Sequence, residues 1–143
     1  MSNYANEQDT FSTVFTNMGW IYVDFKDYEA ALESFKVAHK IALDNEELSA
    51  QARTLNNLGY GYGLNKEYQK GVNLINESIK LNPKNSFTYR NLSELYMFQD
   101  NKSESCKYLQ MSLDRNIEEE WGIRYVQELL MYCDGKVRRK RKI

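Results

Sequence analysis

Residues 58–78 read LGYGYGLNKEYQKGVNLINES, and two other segments of the chain follow the same pattern. Residues 18–38 read MGWIYVDFKDYEAALESFKVA, and residues 92–112 read LSELYMFQDNKSESCKYLQMS. Each segment begins with an apolar residue and a small residue, and Tyr follows the small residue three positions later. The small residue recurs after 40 residues and then after 34. A repeat of this length indicates helical hairpins that stack on one another.

Each copy of the repeat divides into two amphipathic stretches, with apolar residues at i, i+3, i+4 and i+7. Gly19 and Gly59 lie inside these predicted helices. Because Gly within a helix costs about 1 kcal/mol relative to Ala, we expect both residues to have a packing reason. One hairpin cannot bury its apolar face alone, so the sequence predicts neighbouring hairpins around a continuous core.

The boundaries of the predicted helices follow from the breaks between apolar stretches. Pro83 ends one helix, because the residue before Pro avoids the α region, and Ser86 is the predicted N-cap of the next. The extra residues between the first two copies, around 44–50, are mostly good helix formers and predict two longer helices. Helices are predicted at residues 10–24, 28–45, 48–64, 68–81, 86–98, 102–114 and 119–133.

The order of small, Tyr, Ala and aromatic positions resembles the tetratricopeptide repeat family. In the third copy, Ser105 and Ser112 stand where Ala is usual, which makes it the weakest match. The resemblance implies an all-α fold, a right-handed superhelical solenoid of three helix-turn-helix hairpins with a C-terminal capping helix. The predicted domain is residues 1–135, with repeats at about 12–45, 52–85 and 86–119, a capping helix at about 120–133 and a basic tail at 136–143.

Composition excludes several classes of protein. No stretch approaches 18 apolar residues, so no membrane span is expected. Residues 1–10 are polar and lack the apolar core of a secretion signal. Cys106 and Cys133 do not form a disulfide framework, and we predict two reduced thiols in a cytoplasmic protein.

Charge is distributed unevenly along the chain, whose formal net charge is −1. Six cations lie in the last eight residues: Lys136, Arg138, Arg139, Lys140, Arg141 and Lys142. Without them the chain has 13 basic and 20 acidic residues, a formal charge of −7. Such a tail can contact nucleic acid, an anionic lipid surface or the acidic body itself, or it can act only as a solvated terminus.

The sequence offers no catalytic or metal-binding arrangement. His39 is the only histidine and has no triad-type partner near it, so we expect a structural role. The glycines of residues 59–63 lie within a helical pattern and not after a strand, where a phosphate-binding loop would lie. Cys106 and Cys133 are far apart and have no His companion. We predict no enzymatic activity, no cofactor and no metal.

Asn17, Asn57 and Asn91 each lie two residues before the small residue of their copy. In the tetratricopeptide family the first helices of the hairpins line a concave groove, and this position points into it. Resemblance to members with an asparagine ladder implies that these amides hold a peptide main chain. A primary amide can pair with a backbone C=O and N–H together. An alternative is that these amides only satisfy neighbouring helix termini.

Other residues of the predicted groove suggest what it binds. Trp20 and Tyr60 follow the small residue, and they border the groove or, alternatively, fill the core. Arg53 and Arg90 lie one or two turns earlier on their helices, and Phe87 lies near the start of the third copy. Because aromatic residues and Arg are favoured at interface hot spots, a ligand with apolar anchors and some acidic character would fit.

The predicted function is a non-enzymatic protein–protein interaction scaffold that binds an extended peptide segment in the groove. The expected partner is a protein or peptide, and the chain is expected to be a monomer or weak homo-oligomer. Two alternatives remain: an accessory that binds nucleic acid or an anionic surface through the tail, and a self-assembling structural protein that stacks through exposed terminal helices. The family's carboxylate clamp for chaperone tails is incomplete, since Thr16 and Trp20 stand where Lys and Asn are needed.

Overall fold

The computed structural model describes residues 4–139, with side chains described from residue 11 onward. The described residues form helices and turns and contain no strand. Six helices form three hairpins: α1 (Tyr4–Asp24), α2 (Tyr28–Asp44), α3 (Leu48–Leu64), α4 (Tyr68–Leu81), α5 (Ser86–Phe98) and α6 (Lys102–Asp114). Three short elements follow: α7 (Ile117–Trp121), a 3-10 turn (Ile123–Tyr125) and α8 (Gln127–Tyr132). The predicted all-α fold of consecutive helical hairpins is confirmed.

The predicted helix boundaries agree closely with the structure from α2 to α6. The main difference is α1, which begins at Tyr4 and not near residue 10, because the mostly polar residues 4–9 continue the helix without an apolar pattern. The N-cap of α5 is Asn85 and not Ser86, since the Asn85 side chain accepts a hydrogen bond from the Phe87 N–H at 3.0 Å. The longer helices predicted around residues 44–50 are confirmed: α2 and α3 have 17 residues each.

The chain divides into two compact units, Met1–Asn82 and Pro83–Ile143. In the first unit, α2 packs against both α1 and α3, and α4 packs against α3. The Phe35 side chain of α2 is fully buried in a cluster with Ala31, Leu32 and Leu58. An added Cβ at Gly19 would come within 2.4 Å of the Phe35 ring, which explains the glycine. The packing reason expected for this residue is confirmed.

One turn geometry closes all three hairpins. Lys26, Lys66 and Asp100 each follow the first helix of a hairpin and have positive φ values of 60°, 68° and 54°. In each turn, the backbone N–H of the next residue donates to the carbonyl group of the Tyr in the same copy of the repeat, at 2.9 to 3.0 Å. The left-handed residue ends the first helix, so the chain reverses at the same point of every repeat.

The second unit begins with the α5–α6 hairpin, which Ser residues join. The Ser105 hydroxyl donates to the Ser93 carbonyl at 2.8 Å, and the Ser112 hydroxyl donates to the Ser86 carbonyl at 2.8 Å. Ser105 and Ser112 are fully buried, so their hydroxyl groups are satisfied by the facing helix. At these two positions Ser takes the place of the usual Ala, and its hydroxyl group forms a direct hydrogen bond between the two helices.

The segment after α6 differs from the single helix predicted at 119–133. Gly122 has a φ of 78°, which an L residue rarely adopts, and the helix breaks there into α7, the 3-10 turn and α8. Val126 and Leu129 pack against α6 in one buried cluster. The segment thus covers the last hairpin with three short pieces.

A disulfide bond joins Cys106 of α6 to Cys133 at the end of α8, with the Cα atoms 5.5 Å apart. Our expectation of two reduced thiols is therefore wrong for this structure. The two cysteines are 27 residues apart in the sequence, and this spacing did not indicate that the fold brings Cys133 next to α6. The bond ties the C-terminal segment covalently to the third hairpin.

Candidate peptide-binding face

In the first unit, the predicted site residues lie on α1 and α3, the first helices of their hairpins. Asn17 is exposed on α1, whereas Asn57 on α3 is only 6% exposed. Arg53 is exposed one turn before Asn57. Of these three side chains, Asn17 and Arg53 are exposed and Asn57 is buried.

An aromatic stack joins α1 to α3. The rings of Trp20 and Tyr60 stack with centroids 5.4 Å apart, and Trp20 also makes an edge-to-face ring contact with Phe35 at 5.4 Å. Tyr60 is buried, while Trp20 is half-buried and keeps part of its indole accessible. Tyr60 thus belongs to the core, and Trp20 both packs on the core and borders the surface.

In the second unit, the Arg90 side chain is held by the chain's own residues. Its Nε donates to the Tyr125 carbonyl at 3.3 Å, its Nη1 donates to the Asn91 side chain at 3.3 Å, and it forms an ion pair with Glu94. The guanidinium group also lies over the Tyr125 ring, 4.4 Å from the centroid. Burial raises the pKa of Tyr125, while the Arg90 charge opposes this shift.

The other predicted residues of α5 are enclosed with Arg90. Asn91 is 1% exposed. The Phe87 ring makes edge-to-face contacts with Trp121 at 5.0 Å and with Tyr125 at 5.4 Å. Sequence reasoning placed these residues on an open face and missed Trp121 and Tyr125, which cover it. Their spacing of four residues in an apolar segment was the available signal.

The α5 face therefore shows what these repeat positions do when a chain segment lies on them. Phe87 and Arg90 follow Arg53 and Asn56 of α3 by 34 residues, so they hold equivalent repeat positions. On α5 these positions contact aromatic rings and a main-chain carbonyl group. The segment that they hold comes from the same chain.

The described part of the basic tail lies on the second unit. Arg139 forms an ion pair with Glu118 of α7 at 2.8 Å. The backbone of Arg138 exchanges two hydrogen bonds with the Gln110 side chain of α6, at 2.7 and 3.1 Å. Lys140, Arg141 and Lys142 lie outside the described residues. We predicted that the tail can contact nucleic acid, an anionic lipid surface or the acidic body of the chain. The ion pair between Arg139 and Glu118 is a contact of the third kind.

The His39 side chain, for which we expected a structural role, lies at a contact between two helices. The His39 Nδ1 lies 2.8 Å from the Thr54 hydroxyl, in the contact between α2 and α3. Residues 4–139 contain no group of three or more His, Cys, Asp or Glu residues placed to hold a metal ion. Over the same residues, no helix has the length and apolar character needed to cross a membrane.

Consecutive hairpins of this size, with one shared turn and small residues at the helix contacts, define an α-helical repeat protein. The family model for the tetratricopeptide repeat matches residues 12–45 and 52–85, the first two hairpins. The chain belongs to the tetratricopeptide repeat family. Repeats of this family generally mediate protein–protein interaction, and proteins built from them are generally non-enzymatic.

Solved structures resemble the chain, whereas no curated protein matches it. The crystal structure of MamA protein has 13% sequence identity to this chain and a TM-score of 0.40. That match covers 93% of this chain and 97% of the MamA chain.

Proposed function

We propose that the protein binds an extended segment of a partner protein across α1 and α3 and catalyses no reaction. Asn17 and Asn57 hold the main chain of the segment, and Trp20 contacts an apolar side chain. Arg53 favours an acidic residue nearby, because a guanidinium group pairs well with carboxylates. Tyr60 supports the Trp20 ring through their stacked contact, while Asn91, which is buried in the second unit, is not part of this face.

One observation carries this proposal. On α5, the Arg90 side chain donates to a main-chain carbonyl while Phe87 packs against two aromatic rings. The first helix of a hairpin in this chain thus holds the segment around α7 and the 3-10 turn by a main-chain hydrogen bond and aromatic contacts. On α3 the position equivalent to Phe87 is the exposed Arg53, whereas Asn56, the position equivalent to Arg90, is 4% exposed. Helix α1 carries the exposed Asn17.

The scaffold role and the cytoplasmic location remain part of the proposal. In a reducing cytoplasm, Cys106 and Cys133 would be held as thiols, whereas an oxidising compartment would keep their bond. We give the tail a lesser place as a binding element for nucleic acid or anionic surfaces, because Arg139 is already paired with Glu118.

A peptide-display selection on the folded protein tests the proposal. Peptides of about eight to twelve residues are selected on the wild type, and their affinities are measured by fluorescence anisotropy. We expect the Asn17→Ala/Asn57→Ala variant to bind them at least about tenfold more weakly, since each lost amide removes roughly 1 kcal/mol of hydrogen bonding.

The matched control is Asn73→Ala/Asn76→Ala on α4, which removes two amides from a helix outside the proposed face. This control should leave the affinity unchanged. The proposal is overturned if the control weakens binding as much as the α1 and α3 substitutions, or if the folded Asn17→Ala/Asn57→Ala variant binds like the wild type.

A further inference from the structure

Helix α1 and the turn residue that follows it, Phe25, expose a continuous row of large apolar side chains. Phe11, Val14, Met18, Ile21 and Phe25 have exposed fractions of 60%, 45%, 37%, 54% and 80%. Their spacing alternates between three and four residues, which is the a/d pattern of a helix that packs along another helix. We call these five residues the α1 stripe.

The part of α1 that carries the first four stripe residues also lacks charge, whereas Phe25 lies between the exposed Asp24 and Lys26. Residues 11–23 contain no Asp, Glu, Lys or Arg, although charged residues make up 27% of the whole chain. The exposed face of α2, in contrast, carries Glu29, Glu33, Lys36 and Lys40. Depletion of charge is typical of the centre of an interface, whereas a solvated helix face is normally charged.

The same face of α3 is covered by the preceding hairpin. Thr54, Leu58, Gly61 and Asn65 follow the last four stripe residues by 40 positions, the spacing of Gly19 and Gly59. Each of them contacts α2. The Thr54 hydroxyl lies near His39, and the Asn65 side chain donates to the Tyr28 carbonyl at 2.8 Å. Leu58 packs in the cluster around Phe35, and Gly61 lies against the Phe35 ring. This face of a first helix is therefore built to receive another helix, and on α1 it is exposed.

We propose that the α1 stripe binds the α1 stripe of a second copy of this chain about a two-fold axis, with the two helices antiparallel. The exposed stripe presents roughly 500 Å² of apolar surface on each copy, given that an aromatic side chain alone buries about 150–250 Å². A pair therefore buries about 1,000 Å², which reaches the lower bound for a specific interface. Because both copies present the same pattern, the contact is self-complementary and closes as a dimer.

The last hairpin favours this closed pair over head-to-tail stacking. Head-to-tail stacking would need an open face on α6, but Cys106 and Leu113 of α6 are buried with Val126, Leu129 and Cys133 of the C-terminal segment. The α1 stripe includes neither Asn17 nor Trp20. Substitutions in the stripe thus leave the proposed peptide-contacting residues in place, and mass and peptide affinity are measured separately, so each proposal can fail alone.

Sedimentation equilibrium of the full chain over about 1–300 μM tests the proposal, with mass as the readout. We expect the wild type to change from the 16.9 kDa monomer to twice that mass as concentration rises. Met18→Glu/Ile21→Glu should weaken the dimer by at least tenfold, because it places four carboxylates in the apolar contact. The control is Val37→Glu/Leu43→Glu, which charges two exposed apolar residues of α2 and should dimerise like the wild type.

A second variant tests the geometry. Met18 is the middle residue of the stripe, so in an antiparallel pair it lies nearest the two-fold axis and faces its own copy. Met18→Cys should form an intermolecular disulfide under mild oxidation by oxidised glutathione, whereas Phe25→Cys should not. A wild type that stays at 16.9 kDa, or a folded Met18→Glu/Ile21→Glu variant that dimerises like the wild type, would overturn the proposal. Polymers without a limiting mass, or equal cross-linking of both Cys variants, would also contradict it.

Discussion

Phe35 is the residue on which the first two hairpins converge. Its ring fills the space left by Gly19 on α1 and by Gly61 on α3, and its contact with Trp20 extends the packing to the surface. The glycines and the aromatic positions of the repeat are therefore parts of one packing solution. Their order in the sequence is informative because each small residue marks where two helices approach closely.

Gly59 should be more sensitive to substitution than its helical environment suggests. A Cβ there would lie 2.7 Å from the Gly71 carbonyl oxygen and 2.7 Å from the Ile75 side chain. We expect Gly59→Ala to lower the free energy of unfolding by about 1–2 kcal/mol, because overpacking outweighs the gain in helix propensity. Urea denaturation measures this change. Gly61→Ala is the comparison and should cost less, since its Cβ meets side-chain atoms first; an equal or larger loss would contradict the account.

His39 should make stability depend on pH. Burial lowers the pKa of His39 below 6.5, against a smaller opposing effect of Glu77. Below pH 6.5 the unfolded chain then binds more protons than the folded chain. The contribution of His39 to the free energy of unfolding is therefore complete above that pH and is lost as pH falls through the folded-state pKa. Unfolding of the wild type and of His39→Gln, measured at about pH 7.5 and about pH 5.5, isolates the effect. The wild type should lose more stability than the variant; parallel losses would refute the prediction.

At the scale of elements, the boundaries of α2 to α6 could be predicted because the signals for helix ends are local. The left-handed turns after Tyr22, Tyr62 and Tyr96 recur with the repeat, and Pro83 stops α4. The start of α1 was missed because its first turns have no apolar period. The break at Gly122 was missed because Gly inside an apolar helical pattern is commonly tolerated.

The candidate site was only partly predictable for a different reason. Spacing identified Asn17, Asn57 and Asn91 as equivalent positions, but spacing carries no information on burial, and these three side chains differ widely in exposure. Arg90 is covered by Tyr125, which lies 35 residues later in the chain, and the disulfide bond joins Cys106 to a residue 27 positions later. Such contacts depend on the path of the C-terminal segment, which no local pattern encodes.

The Cys106–Cys133 bond should stabilise the second unit. Closing a chain loop of this length stabilises the native state by about 3.5 kcal/mol, by limiting the entropy of the unfolded chain. We expect dithiothreitol to lower the denaturant midpoint of the wild type, followed by circular dichroism. Cys106→Ala/Cys133→Ala is the control and should not respond to the reductant. A wild-type midpoint that is the same with and without reductant would show that the bond has no stabilising role.

At the scale of the whole molecule, we propose a different task for each exposed surface. In this proposal the α1 stripe pairs two copies and the face with Asn17 and Trp20 binds a partner segment. The C-terminal segment covers α5 and α6. The described part of the tail belongs to this cover through Arg138 and Arg139. The partner-binding face is the claim on which the proposed function depends.

Trp20 allows that claim to be measured directly, because the chain has only two Trp residues. In a Trp121→Phe background, which keeps an aromatic ring against Phe87, the fluorescence reports Trp20 alone. The account predicts that a selected peptide shifts the Trp20 emission with the Kd found by anisotropy, and that Asn17→Ala/Asn57→Ala removes this shift at the same peptide concentration. A peptide that binds with full affinity while the Trp20 emission stays unchanged would contradict it.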